Sequence, residues 1–180
     1  MKGYVSIRSR LGRARMLFAG AVSAAVFALA TLLPNTVFDF VFCRMPAGLA
    51  AAYFGAALDG SAFVLADGRI VAVTRACGGA GFFAMVCGLL AWRITATARW
   101  RFAPVAAVAA WGYAMLVNGV RIVATVWARS ASEVLLPERL WGASHLATGV
   151  AVFFSALMVA GWIAARVPHA GRAQSNNTDV

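Results

Sequence analysis

What most constrains this chain is a series of long apolar runs with arginines gathered between them. Residues 16–33, 77–92, 102–127 and 143–167 approach or exceed the ~20 residues that carry a helix across ~30 Å of hydrocarbon. Around them stand Lys2 to Arg15, then Arg93, Arg99 and Arg101, then Arg166 and Arg172. Short basic groups at the ends of apolar runs are the pattern of cytoplasmic anchors in multi-pass proteins. A soluble domain of 180 residues could not be covered by 16 basic and 6 acidic side chains when 62% of its residues are hydrophobic. Lipid tails, not water, must face much of this chain. Nucleic-acid binding would need the net charge of +10 collected on one wettable face, which the spacing does not provide.

The resulting fold is an all-α integral membrane protein with about four transmembrane helices, a short interfacial or re-entrant helix and a small periplasmic β-hairpin. Residues 1–15 form a basic cytoplasmic leader, 16–167 a single membrane domain, and 168–180 a polar, disordered cytoplasmic tail. Ala28-Leu29-Ala30 resembles a signal-peptide cleavage site, but the apolar run continues through Leu32 and Leu33, which favours an uncleaved first span. Between 37 and 58, Asp39 and Arg44 interrupt the first half and Pro46 and Gly48 the middle. Only Leu49 to Leu58 is cleanly apolar, too short to cross, so this stretch reads as interfacial or re-entrant. Residues 63–73 carry Asp67-Gly68 between β-branched and apolar runs, the signature of a hairpin closed by a type I′ turn. Bare in lipid its edges would be unsatisfied, so it belongs in water or on the membrane surface.

With both termini inside, ten of the basic residues are cytoplasmic and six are at the outer side, which fits the positive-inside rule. The protein is accordingly expected in the bacterial inner membrane. Making 37–58 a full span would export the Arg93–Arg101 cluster, the less favourable arrangement.

Charged or nucleophilic groups near a membrane core are costly and ask for a reason. At ~1.5 Å per helical residue, Cys77 stands ~24 Å above Arg93, Arg121 ~30 Å above Arg101 and His145 ~31 Å above Arg166. Separate helices thus bring a thiol, a guanidinium and an imidazole to one level, the outer face of the bilayer. A thiol reacts as its thiolate, which a neighbouring imidazole or cation favours. His145 can take and return the proton, and Arg121 can hold a developing oxyanion, so the chemistry is acyl transfer through a thioester. Asn118, three residues before Arg121, shares its helical face. Gly78, Gly79 and Gly81 permit close backbone approach, and Ala76, Ala80, Ala84 and Gly88 form a small-residue packing stripe.

Each residue also has a plainer reading. Cys77 is a packing residue on type alone, Arg121 an interfacial anchor, and His145 a helix-end or interfacial side chain. Cys43, Cys77 and Cys87 form no CxxC pair and no metal-ligand spacing. Two other functions stay open on the residues: a membrane thiol oxidoreductase, and a non-enzymatic assembly or transport component in which Arg121 and His145 line a polar path.

Ala76-Cys77-Gly78-Gly79, then Asn118-Gly119-Val120-Arg121, then His145 with Gly149 one turn on, resemble in order and placement the exosortase/archaeosortase family. The resemblance covers roughly residues 60–165 in a compact form, similar to the small subtype K. Typical members have more spans, and often carry Ser where this chain has Gly78. It implies a cysteine peptidase or transpeptidase with Cys77 as nucleophile, His145 as acid/base and Arg121 as stabiliser. The implied partners are exported proteins ending in a sorting signal, which consists of a motif, a transmembrane helix and a basic tail. Cleavage near the motif and transfer to an envelope acceptor would follow, with membrane lipid as surroundings and neither metal nor organic cofactor.

Overall fold

The computed structural model describes residues 2–97 and 100–166, with side chains from residue 12 onward. The tail expected at 168–180, and Arg99 of the second basic group, lie outside the described residues. Helix α1 (Lys2–Leu32) is followed by α2 (Asn35–Phe38), a π-helical turn (Asp39–Arg44) and α3 (Met45–Phe54). Strands β1 (Leu58–Asp59), β2 (Ala62–Val64) and β3 (Ile70–Ala72) precede a 3₁₀ turn at Arg75–Cys77. Three further helices follow: α4 (Ala80–Thr97), α5 (Ala103–Leu135) and α6 (Trp141–Arg166).

Among the described residues, five helical stretches are long and apolar enough to cross a membrane. In α1 and α6 only 6% of the most apolar stretch is buried, leaving side chains such as Leu17, Leu29, Phe154 and Trp162 facing outward. A helix with apolar residues on its outer face is stable only against lipid. The core lies between α3, α4 and α5, where Ala47, Ala50, Ala114 and Met115 are fully enclosed. Small residues set the spacing of α1 against α4. A Cβ on Gly88 would collide with Ser23 Oγ and stand 2.9 Å from the Ala19 carbonyl, while Ser23 Oγ donates to the Ala84 carbonyl at 2.7 Å. Gly119 does the same for α3 and α5, since its Cβ would lie 3.1 Å from Leu49 Cβ.

The stretch before the sheet differs from the ten-residue apolar segment expected at Leu49–Leu58. Helical structure is continuous over Asn35–Phe54, 20 residues, and stops at Gly55, whose φ of +64° is the left-handed cap that glycine tolerates best. The wide π turn carries the chain past Asp39 and Arg44 into Pro46. A proline ring meets the carbonyl four residues back in a regular helix, and a π turn relieves that clash. Both ends of this run lie toward one end of the bundle. Asn35 is bonded by Arg75, and Phe54 packs on Trp127 in the C-terminal half of α5.

Strands β2 and β3 pair antiparallel with Phe63 opposite Val71, and β1 adds a third strand through Leu58 opposite Phe63. The turn is not the two-residue type I′ turn centred on Asp67-Gly68. Gly68 N–H donates to the Leu65 carbonyl and Leu65 N–H to the Arg69 carbonyl, both at 2.9 Å, so Ala66 and Asp67 form the corner. Gly68, at φ +82°, then occupies the left-handed position of a three-residue loop with a G1 bulge. The Asp67 carboxyl is held below its usual range, first by the Arg69 backbone N–H and then by its guanidinium. At 33 residues α5 spans ~50 Å, well beyond a ~30 Å hydrocarbon layer. The sheet docks on its last turns: Arg69 Nη2 donates to Ser130 Oγ at 2.9 Å and Arg69 Nη1 lies 3.7 Å from Glu133 Oε2, while buried Phe63 stacks on Phe54.

Candidate active site

Cys77 does not open a helix, as the apolar run 77–92 suggested. It ends a 3₁₀ turn, with its N–H donating to the Thr74 carbonyl at 2.8 Å, and α4 begins only at Ala80. The cause is Gly79, whose φ of +77° is outside the right-handed helical region. This leaves the Cys77 carbonyl unclaimed by a helix and free to turn toward α5.

Two side chains of α5 meet that carbonyl. Asn118, completely buried, donates from Nδ2 at 2.7 Å, and Arg121 Nη1 donates at 3.4 Å. Arg121 Nη1 also stands 3.4 Å from Asn118 Oδ1. Asn118 and Arg121, one helical turn apart, therefore act as one clamp on the cysteine turn. A side chain at Gly79 would press on that clamp, its Cβ lying 3.0 Å from Asn118 Cγ. Gly78 faces the other way: its Cβ would lie 2.8 Å from Phe38 Cε1 and 3.2 Å from Cys43 Sγ. The packing of α2 and the π turn against it explains why glycine follows the cysteine here.

Arg121 is also placed by α6. Its guanidinium lies 5.0 Å from the centre of the Phe153 ring, and a Cβ on Gly149 would stand 2.8 Å from its Nε. That Nε is buried and has no hydrogen-bond partner among the described residues. Four residues before Gly149, His145 is exposed and lines a hollow with Thr125, Arg129 and the β3 strand. It lies within electrostatic reach of Arg121 and Arg129. Among the described residues no hydrogen bond joins Cys77 to His145. The structure thus ties Cys77, Asn118 and Arg121 together directly, whereas His145 makes no hydrogen bond to any of them among the described residues.

A groove of about 540 Å³ runs past Gly79 and Arg121, with Phe27, Phe82, Met85 and Phe153 in its walls. Arg75 stands at its rim and has a role that sequence reasoning missed. Its guanidinium donates to the carbonyls of Ala30, Thr31 and Leu33 and to Asn35 Oδ1, and lies 4.4 Å from the Phe38 ring centre. It caps the C-terminus of α1, where a cation satisfies carbonyls that lack helical partners. Only its place two residues before Cys77 could have hinted at this. Asp39 and Cys43 were also passed over. Asp39 and Cys43 line one hollow, and the Cys43 thiol adjoins the cysteine turn. A lone acid inside an apolar stretch was the available signal. All three cysteines are free thiols.

No curated protein and no solved structure matches the chain. The model of one family does, described as transmembrane exosortase (Exosortase_EpsH), over residues 45–162, well over half of the chain. That stretch holds Cys77, Asn118, Arg121 and His145 and the part of the groove lining from Arg75 to Phe153, while Phe27, Thr31 and Phe38 of the groove precede it. With its membrane helices and this match, the chain belongs to the transmembrane exosortase family.

Proposed function

We propose that this exosortase is a cysteine peptidase/transpeptidase that removes C-terminal sorting signals from exported proteins and passes their new carboxyl ends to an envelope acceptor. The observation that carries the reading is the double grip of Asn118 and Arg121 on the Cys77 carbonyl. A thiol on a non-helical turn, anchored by a buried amide and a guanidinium, is held with its neighbours fixed before any substrate arrives. A structural cysteine in an apolar helix needs no such anchoring.

In this reading Cys77 Sγ attacks the scissile carbonyl carbon. His145 takes the thiol proton, directly or through one water, and returns it to the leaving amine as the C–N bond breaks. Arg121 is close enough to the cysteine turn to stabilise the oxyanion with the donors it does not spend on Cys77 and Asn118. The apolar-walled groove suits the helix that follows the sorting motif. The site faces the periplasm of the inner membrane, a placement supported by the basic groups at Lys2–Arg15 and around Arg93–Arg101.

The test uses an epitope-tagged exported protein from the same genome that ends in a motif, an apolar span and a basic tail. Cys77→Ala, Arg121→Ala and His145→Ala are each expected to lower its processing by ~100-fold or more while the enzyme accumulates normally. Cys87→Ala should process within about twofold of wild type, as a residue with a packing role only. Full processing by Cys77→Ala sinks the proposal.

A further inference from the structure

A thioester enzyme needs a second nucleophile, and that nucleophile must reach the acyl group and lose a proton there. On the Gly78 side of the cysteine turn lies a hollow of about 520 Å³ lined by Asn35, Thr36, Phe38, Asp39, Cys43 and Arg75. Phe38 and Cys43 touch the turn itself, since both crowd the place a Gly78 Cβ would take. The π turn carries both Asp39 and Cys43, and both line the hollow. Such turns occur frequently at functional sites.

Asp39 is half-buried within a 20-residue apolar helical run, and no ion pair among the described residues includes it. Arg75, the cation on the hollow's wall, is engaged by the Ala30 and Thr31 carbonyls of α1, by the Leu33 carbonyl just after it and by Asn35. The hollow therefore presents side-chain oxygens of Asn35, Thr36 and Asp39, carries a carboxylate with no ion-pair partner among the described residues, and is walled by Phe38 and Cys43, which adjoin the residue after the proposed nucleophile. A ligand bringing positive charge and several N–H donors completes it, which describes a primary ammonium group. A neutral hydroxyl or water brings no charge to offset the carboxylate.

We infer that this hollow receives the acceptor of the transfer step, a primary amine held by Asp39, and that Asp39 takes the proton released as that amine attacks the Cys77 thioester. The inference rests on the thioester reading of Cys77. The amine enters as ammonium, gives one proton to water and attacks as the neutral base. Its nitrogen lone pair forms the C–N bond, the C–S bond breaks with its electrons on Cys77 Sγ, and nitrogen sheds its second proton to Asp39. That proton then passes to the Cys77 thiolate, leaving an amide, a free thiol and Asp39 as it began.

The test follows enzyme–substrate conjugate and product separately, in membranes carrying the full-length enzyme and the tagged substrate. With Asp39→Asn, conjugate is expected to accumulate at least tenfold over wild type while product falls at least tenfold. Neutral hydroxylamine, uncharged at pH 7, should release the conjugate from both enzymes, whereas added ethylammonium should speed product formation by wild type only. The inference is overturned if Asp39→Asn forms product within twofold of wild type. It is equally overturned if that variant accumulates, alkylates at Cys77, and yet forms no conjugate. Should Asp39→Asn not accumulate, Asp39→Glu is assayed instead, and an unchanged ratio of conjugate to product in it overturns the inference. Full processing by Cys77→Ala removes the thioester itself, an outcome distinct from any failure at Asp39.

Discussion

Two glycines carry much of the geometry at the residue scale, each for a different reason. Gly79 is needed for its backbone, because φ of +77° costs an L-residue roughly 1–2 kcal/mol. Gly149 is needed for its emptiness, because its missing side chain is the space that Arg121 Nε occupies. A methyl at residue 149 should push the guanidinium off the Cys77 carbonyl without disturbing the thiol. Gly149→Ala is therefore expected to lower the processing rate by ~10-fold or more while Cys77 alkylation and protein level stay near wild type. A rate within twofold of wild type would show that Arg121 has freedom to move aside. Cys77, Asn118 and Arg121 could be picked from the sequence because thiol, amide and guanidinium are out of place in apolar runs. Asp39 shares that property but was read as a break in a span, and Arg75 as one charge among several.

Pairing between helices rests on small residues that allow backbones to approach, and this is the scale at which α1 matters. It lies outside the stretch matched by the family model, yet it is fastened to that stretch twice. Ser23 and Ala19 fit against Gly88 in α4, and Arg75 closes its last carbonyls just before the cysteine turn. A leucine in place of Gly88 has no room, since even a Cβ there meets Ser23. Gly88→Leu should separate α1 from α4 and destabilise the protein by about 1–3 kcal/mol, read as a lower midpoint of thermal unfolding in detergent. An unchanged midpoint would mean that α1 is not part of the cooperative unit. The sheet illustrates the limit of local signals. Asp67-Gly68 announced a turn, but the hydrogen bonds of Leu65 moved its centre by one residue, and the docking of Arg69 on Ser130 was invisible before the fold.

The whole molecule is a bundle whose chemistry-bearing groups collect toward one end, around the cysteine turn. Asn35, Phe54 and the sheet lie toward that same end, so the orientation of the chain decides which compartment they face. The basic groups predict that end to be periplasmic. In a chain with its native cysteines replaced, Ser61→Cys should react with a membrane-impermeant maleimide on spheroplasts, and Thr97→Cys only after lysis. The opposite labelling would invert the protein and put the site in the cytosol.

Composition and spacing were sufficient to determine a membrane protein of several helices, because lipid exposure demands long apolar runs and their basic flanks mark a side. They also sufficed to single out the residues expensive to place there. Only the tertiary structure decided that Cys77 sits on a turn rather than in a helix, that Asn118 and Arg121 hold its carbonyl, and that Asp39 lines a hollow with Phe38 and Cys43, which adjoin Gly78. Those facts depend on a left-handed glycine, a π turn and the close approach of chain segments some forty residues apart. No local pattern encodes such an approach, since it is the packing of the whole bundle that selects it.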